Sequence, residues 1–382
     1  MPFSQEDLDQ LVALRRSLHR HPEVSGQEQW TAAKIEDVLA RCQPDRIVKG
    51  LGGHGVAAVF QGNEQGPTLL VRCELDALPI EEKTGLAYSS EIPGKGHLCG
   101  HDGHMTILAA TALALHRQRP GRGRVVLLFQ PAEEDGSGAA AVVSDPAFAD
   151  LSPDLAFSLH NLPGLPLGFA GLKAGPVNCA SRGIKLRFEG KTAHASQPET
   201  GVSPMPAMAA LMPVLSGLSK GTQADPDFTL VTITHAWLGE EAFGIAPGDG
   251  EIWATLRTLT DDGMASLCET AERLSQEAAK TRGLHLSFSY HDVFDHCENA
   301  PEAVAVLEQA LADEGVPFGP ANLPMRASED FGRFRKLCPA AMFFLGSGED
   351  HPALHNPDYD FPEELIPIGA KVFLRAIRNQ LG

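Results

Sequence analysis

Four short apolar runs constrain the fold most. Val56–Phe60, Thr68–Cys73, Arg124–Phe129 and Leu155–Leu159 are too short for ordinary helices and read as buried strands. Between the second and third, Met105–His116 has helical character. Short strands alternating with helical stretches predict an α/β domain with a mostly parallel sheet. A helix opens the chain, with Ser4 and Asp7 at capping-box spacing and Leu8, Leu11, Val12 and Leu18 on one face.

The pattern changes near residue 178. Ile184, Leu186 and Phe188 alternate with charged residues, as in a strand buried on one face. A helical stretch follows at 203–219, then strands Thr229–His235 and Glu251–Leu259, a long helix over 261–282, and another alternating strand from Leu284 to Tyr290. That order, β-α-β-β-α-β, is a ferredoxin-like unit. The remainder returns to α/β style, with a helix over 301–314, a strand at Ala341–Leu345 and a final helix over 363–380. The predicted organisation is a discontinuous α/β catalytic domain (1–177 and 294–382) interrupted by an α+β domain (178–293).

Charge narrows the partners. There are 31 Lys and Arg against 49 Asp and Glu, a net charge of −18. Such a chain has no general field for a nucleic-acid backbone or an anionic membrane. Its longest aliphatic runs stop near five residues, where a membrane-spanning helix needs about 20. The acidic opening MPFSQEDLDQ has no signal-peptide core. Seven cysteines, odd in number and without CxxC spacing, fit a reduced, cytoplasmic protein.

The chemistry gathers where strands end. Before the Met105–His116 helix stands His97-Leu98-Cys99-Gly100-His101-Asp102-Gly103-His104. Thiolate and imidazole both suit zinc and related divalent metals, and in an extended loop Cys99 and His101 point to one side. Asp102 is placed to orient an imidazole. Cys-x-His alone also fits a glycine-rich turn, since a zinc site takes three or four protein ligands. Further candidates follow other strands: Glu133 and Glu134 after 124–129, His160 after 155–159, and His355 shortly after 341–345. In extended chain Glu133 and Glu134 point opposite ways, so one can ligate while the other serves as general base.

These runs resemble the N-acyl-amino-acid amidohydrolase family of metallopeptidases, which includes hippurate hydrolase and the indole-acetyl-amino-acid hydrolases. The matching stretches are Cys99–His104, Gln130–Glu134, His355-Asn356-Pro357, Leu18–Glu23, Glu74–Ile80, Gly190–His194 and Ser328–Phe331, in family order. The resemblance implies two divalent ions per chain (zinc, manganese or cobalt), with Cys99 shared between them and His101, Glu134, His160 and His355 completing the ligands. Glu133 would be the general base, with Asp76 and Asp102 supporting the site from behind. His194 would stabilise the oxyanion in a partner's site, and Arg257 would clasp a substrate carboxylate. The implied substrate is a small N-acyl amino acid and the implied assembly a homodimer through the inserted domain, whose strand edges need protection.

Three departures stand out. Glu74 replaces the family's usual aspartate, Gly244 stands at a usual asparagine, and Lys191-Thr192-Ala193 replaces a glycine-rich turn. Two rival readings are a cysteine hydrolase with Cys99 as nucleophile and His101 or His104 as base, and a non-catalytic metal or small-molecule binder. The unligated carboxylate beside Glu134 speaks against the second.

Overall fold

The computed structural model describes residues 2–382. The chain divides into two compact units. One comprises 1–177, 298–323 and 330–382; the other comprises 178–297 and 324–329. The second boundary differs from the sequence reading. The last inserted strand runs on to Phe294, and 324–329 joins the inserted unit, where Cys179 N–H faces the Met325 and Ala327 carbonyls (3.2 Å each).

The first unit is built on an eight-stranded sheet. Its strands β1 (Arg46–Leu51), β2 (Gly55–Gln61), β3 (Glu64–Glu74), β4 (Arg122–Gln130) and β5 (Leu155–Leu162) lie in the order β1-β2-β4-β3-β5. The strand Ala340–Gly346 follows, then two short strands. The centre of the sheet, β4-β3-β5 and Ala340–Gly346, is parallel. Its residues are buried on both faces, which is why these segments read as continuous apolar runs.

Helices α1 (Gln5–Arg20), α2 (Gln29–Arg41) and α3 (His101–Arg117) contribute to one core with the sheet. Ser4 caps α1 through the expected capping box. Helix α3 begins at His101, earlier than the apolar periodicity suggested. Gly100 forms its N-cap at φ 89°. A Cβ there would overlap Asn161 Nδ2, so glycine is what lets the chain turn into the helix against β5.

In the inserted unit four antiparallel strands lie in the order Thr229–Leu238, Asp249–Thr258, Ala180–Glu189, His285–Phe294. Helices Met205–Ser216 and Asp261–Thr281 pack on one face, covering Ile184, Leu186, Phe188, Ile252 and Leu256. This is the ferredoxin-like arrangement.

Candidate metal centre

Parallel strands deliver their carboxyl ends to one edge of the sheet, where α/β folds bind ligands. Cys99 and His101 stand at the start of α3, Glu133 and Glu134 follow β4, His160 lies near the end of β5, and His355 sits in the segment after Ala340–Gly346. The ligand atoms of Cys99, His101 and His160 lie within 4.8 Å of one another, as do those of Cys99, Glu134 and His355, and those of His101, Glu133 and Glu134. Cys99 belongs to two of these groups.

The distances suit a metal. Cys99 Sγ and His160 Nε2 are 3.4 Å apart, and His355 Nε2 is 3.6 Å from Glu134. Tetrahedral coordination with bonds of about 2.0–2.3 Å puts ligand atoms about 3.3–3.7 Å apart. The ring orientations agree. His101 Nδ1 donates to the Asp76 carbonyl at 2.8 Å, and His160 Nδ1 to the Asn161 carbonyl at 2.7 Å. Each bond leaves Nε2 as the lone-pair nitrogen facing the cluster. His101 Nε2 is buried with no hydrogen-bond partner, an arrangement that costs free energy unless an electrophile meets it.

Two local expectations are corrected. His101 is helical, so it and Cys99 converge through the Gly100 turn and not through extended alternation. Glu133 and Glu134 also do not alternate about an extended strand. Ala132 has φ 51° and residues 133–136 form a turn, leaving Glu133 and Glu134 oxygens 4.0 and 3.9 Å from His101 Nε2.

Asp76 is buried. Its Oδ2 accepts from Ser25 Oγ (2.7 Å) and from the Glu134 N–H (2.9 Å), so it fixes Glu134 while its carbonyl fixes His101. Asp102 does orient an imidazole, but not a ligand: it faces His19 Nδ1 and Arg15 Nε, each at 2.8 Å. Glu74 spans Arg72 and His104, accepting from His104 Nδ1 at 2.7 Å. Its extra methylene is taken up in that reach. His104 Nε2 in turn accepts the Asn161 N–H at 3.0 Å, so His104 is a structural link and not a ligand.

Electrostatics favour a cation. Burial, with Glu134 and Glu133 nearby, pushes the Cys99 thiol well above its usual value. Burial works against charging His101, yet Asp76, Glu74 and Glu134 hold it up to about 10. Burial, reinforced by His104, takes His160 down to about 3. Carboxylates and a thiol converge here, and a dication would relieve their mutual repulsion.

Several contributing residues were not singled out from sequence. Arg72, fully buried in β3, bonds Glu74 and Asp330. Asn161 Nδ2 holds the Cys99 carbonyl at 2.6 Å, while its Oδ1 accepts from Tyr359 and Ser347. A charged residue inside the apolar run Leu69–Cys73 was the available signal for Arg72; Asn161 carried only its position beside His160.

In the inserted unit, His194 is exposed. Its Nδ1 accepts the Ser196 N–H at 3.1 Å, and its strand pairs with Ile245–Ala246. Arg257 Nη1 donates to the Arg326 carbonyl (2.7 Å) and to Ser328 Oγ (3.3 Å). Burial lowers its affinity for its proton. Gly244 has open space around its missing Cβ.

With this geometry in view, the relatives give the class. Residues 70–379 match the family model described as peptidase family M20/M25/M40, and the chain belongs to that family. It is a metal-dependent amidohydrolase. The chain is 31% identical over 370 residues to the N-acetyl-L-cysteine deacetylase of Bacillus subtilis (strain 168), covering 96% of this chain and 86% of that one. It is 30% identical over 370 residues to the N-acetyldiaminopimelate deacetylase of Bacillus velezensis, covering 94% and 96%. The crystal structure of Bacillus subtilis YXEP, a dinuclear metal-binding peptidase of the M20 family, superposes with a TM-score of 0.83 at 27% identity, covering 99% of each chain. Among the described residues no helix is long and apolar enough to cross a membrane.

Proposed function

We propose that this chain hydrolyses the amide bond of small N-acyl amino acids, using two divalent ions held by Cys99, His101, Glu134, His160 and His355, with Glu133 as general base. The observation that carries this reading is the pair of three-ligand groups sharing Cys99. Relatives that remove acetyl groups from amino acids support the substrate class. Bound there, the ions would polarise the amide carbonyl and acidify a water. Glu133, buried beside His101, takes the proton of the attacking water and returns it to the amine as the C–N bond breaks. The products are a carboxylate and a free amino group.

Arg257 recognises the substrate carboxylate. Its guanidinium is held by a carbonyl and a hydroxyl, leaving its charge for an incoming anion. Gly244 supplies no side chain to assist it. His194 acts from the partner subunit of a homodimer, donating to the developing oxyanion. Helix Met205–Ser216 supports the dimer: it carries no charged residue, yet Met205 is 49% and Val214 47% exposed. A helix apolar on all sides belongs under cover.

The cysteine-hydrolase alternative is disfavoured. Of its two bases, His104 is committed to Glu74 and to the Asn161 N–H, and His101, held up to about 10, already carries its proton, while burial and the nearby Glu134 and Glu133 keep the Cys99 thiol protonated. The test is a panel of N-acyl amino acids assayed after chelation and after return of zinc, manganese or cobalt. Glu133→Gln should lower kcat about 10²–10⁴-fold while metal content is unchanged. Activity that survives complete chelation, or a near-normal Glu133→Gln enzyme, would reject the reading.

A further inference from the structure

His355 differs from the other ligands in its support. His101 starts a helix, Cys99 is held through its carbonyl by Asn161 Nδ2, His160 is in a strand, and Glu134 is tied by its N–H to Asp76. His355 lies in the irregular segment 347–364, is exposed, and has φ 67°. A non-glycine residue in that region is held there only by surrounding structure. Its N–H donates to the Leu98 carbonyl at 2.8 Å.

Beyond it, the Pro357 carbonyl accepts the Lys83 N–H at 2.6 Å and the Tyr359 hydroxyl donates to Asn161, and the charged part of the hold lies five residues on, at Asp360. Its carboxylate takes a hydrogen bond from Arg15 Nη2 and one from the Tyr88 hydroxyl at 2.7 Å. Its carbonyl faces His351 Nε2 at 2.6 Å. Arg15 is fully buried, and its Nε lies 2.8 Å from the carboxylate of Asp102, the residue after His101. One guanidinium therefore joins the helix start that carries His101 to the segment that carries His355. Glu363, bonded by Arg16 at 2.8 Å, fastens the same segment to α1 a second time.

Energetics point to position as the purpose. Taking the Arg15 guanidinium and the Asp102 carboxylate out of water is costly, and their attraction often does no more than offset that cost. A network like this adds little stability compared with apolar packing. What it supplies is a fixed separation between parts of the chain 345 residues apart.

We infer that the Arg15–Asp360 link is a positioning device for His355, and so sets the affinity of the ion held by Cys99, Glu134 and His355 while leaving the ion at Cys99, His101 and His160 unaffected. The inference rests on the two-ion reading above. Neither Arg15 nor Asp360 touches an ion or the substrate.

The experiment is zinc binding to the metal-stripped full chain, followed by calorimetry and equilibrium dialysis, for wild type, Asp360→Asn, Arg15→Lys and His355→Ala. Asp360→Asn keeps the shape and lets Tyr88 still donate. It should weaken one of two zinc sites about 10-fold or more, the same site that His355→Ala weakens, with the other within about 2-fold. Arg15→Lys, which keeps the charge but loses the fork, should show a smaller loss at that same site. A purely structural role would instead weaken both sites together. Equal weakening of both sites by Asp360→Asn, or two unchanged sites, overturns the inference alone. A wild-type chain that takes up one zinc refutes the two-ion reading and this inference with it.

Discussion

Replacing Gly100 with alanine tests whether the turn into α3 is as tightly specified as its surroundings indicate. The residue sits at φ 89°, where an L side chain costs about 1–2 kcal/mol. The new Cβ would overlap Asn161 Nδ2 and lie 3.0 Å from Asn161 Cγ and from the Tyr359 hydroxyl. Neither neighbour can retreat freely. Asn161 holds the Cys99 carbonyl and contacts His104, and Tyr359 is fully buried. Overpacking at such a site costs about 1–3 kcal/mol. The sum is about 2–5 kcal/mol, which for a unit of this size lowers Tm by roughly 4–20 °C. Differential scanning calorimetry of the metal-stripped Gly100→Ala protein measures it without interference from ion binding. Zinc affinity should fall as well, since the Cys99 carbonyl moves with Asn161. A Tm within about 2 °C of wild type, with unchanged zinc affinity, would show that β5 yields easily and that the reasoning is wrong.

Three further outcomes follow from the same geometry. His19 is raised from 6.5 to about 9, because Asp102 and Glu82 outweigh a burial that alone would lower it; its contribution is full below pH 6.5 and fades as pH rises through about 9, so urea unfolding at pH 6 and pH 9.5 should differ by up to about 3 kcal/mol, a difference that His19→Gln reduces. Zinc must displace protons from Cys99, whose thiol burial pushes well up, and from His101, held near 10; proton release on zinc addition at pH 7, and affinity that climbs with pH, are expected, and zinc uptake with no proton release would contradict both shifts. Mixed Glu133→Gln and His194→Ala chains should regain activity after subunit exchange, because one hybrid site holds both intact residues; no recovery, or a fully active monomer, would remove His194 from a partner's site.

Much of the site was legible because its parts follow apolar runs. A strand buried on both faces must be apolar, so the polar residues at its carboxyl end stand out: Glu133 after Phe129, His160 after Leu159, His355 beyond Leu345. What failed was local geometry. Gly100 permits a left-handed turn that starts the helix four residues before its apolar periodicity begins, and Ala132 takes positive φ with no glycine to announce it. Helix α2 and strand β1 were not foreseen. The first has no side-chain cap at Glu28, whose carboxylate bonds the Gly26 and Ala132 N–H groups. The second buries only Val48 and Leu51.

The residues hardest to read were buried charges, and their placement carries a physical argument. Arg72, Glu74 and Asp330 lie beneath the cluster; Arg15, His19 and Asp102 lie beside the start of α3. All six are at most 1% exposed. Ions so placed are poor sources of stability, because desolvation consumes most of what pairing returns. They do have narrow distance requirements. The proposed ligands come from four separated segments and would have to meet within a few tenths of an ångström, a tolerance that apolar packing alone does not enforce on loops such as 131–136 and 347–364. Charged pairs stand behind the start of α3 (Arg15–Asp102), the 347–364 segment (Arg15–Asp360) and β3 (Arg72–Glu74), and they hold these parts of the chain in place without an ion. A dication then enters a cluster whose carboxylates already prefer positive charge, as the high affinity of His101 for its proton shows.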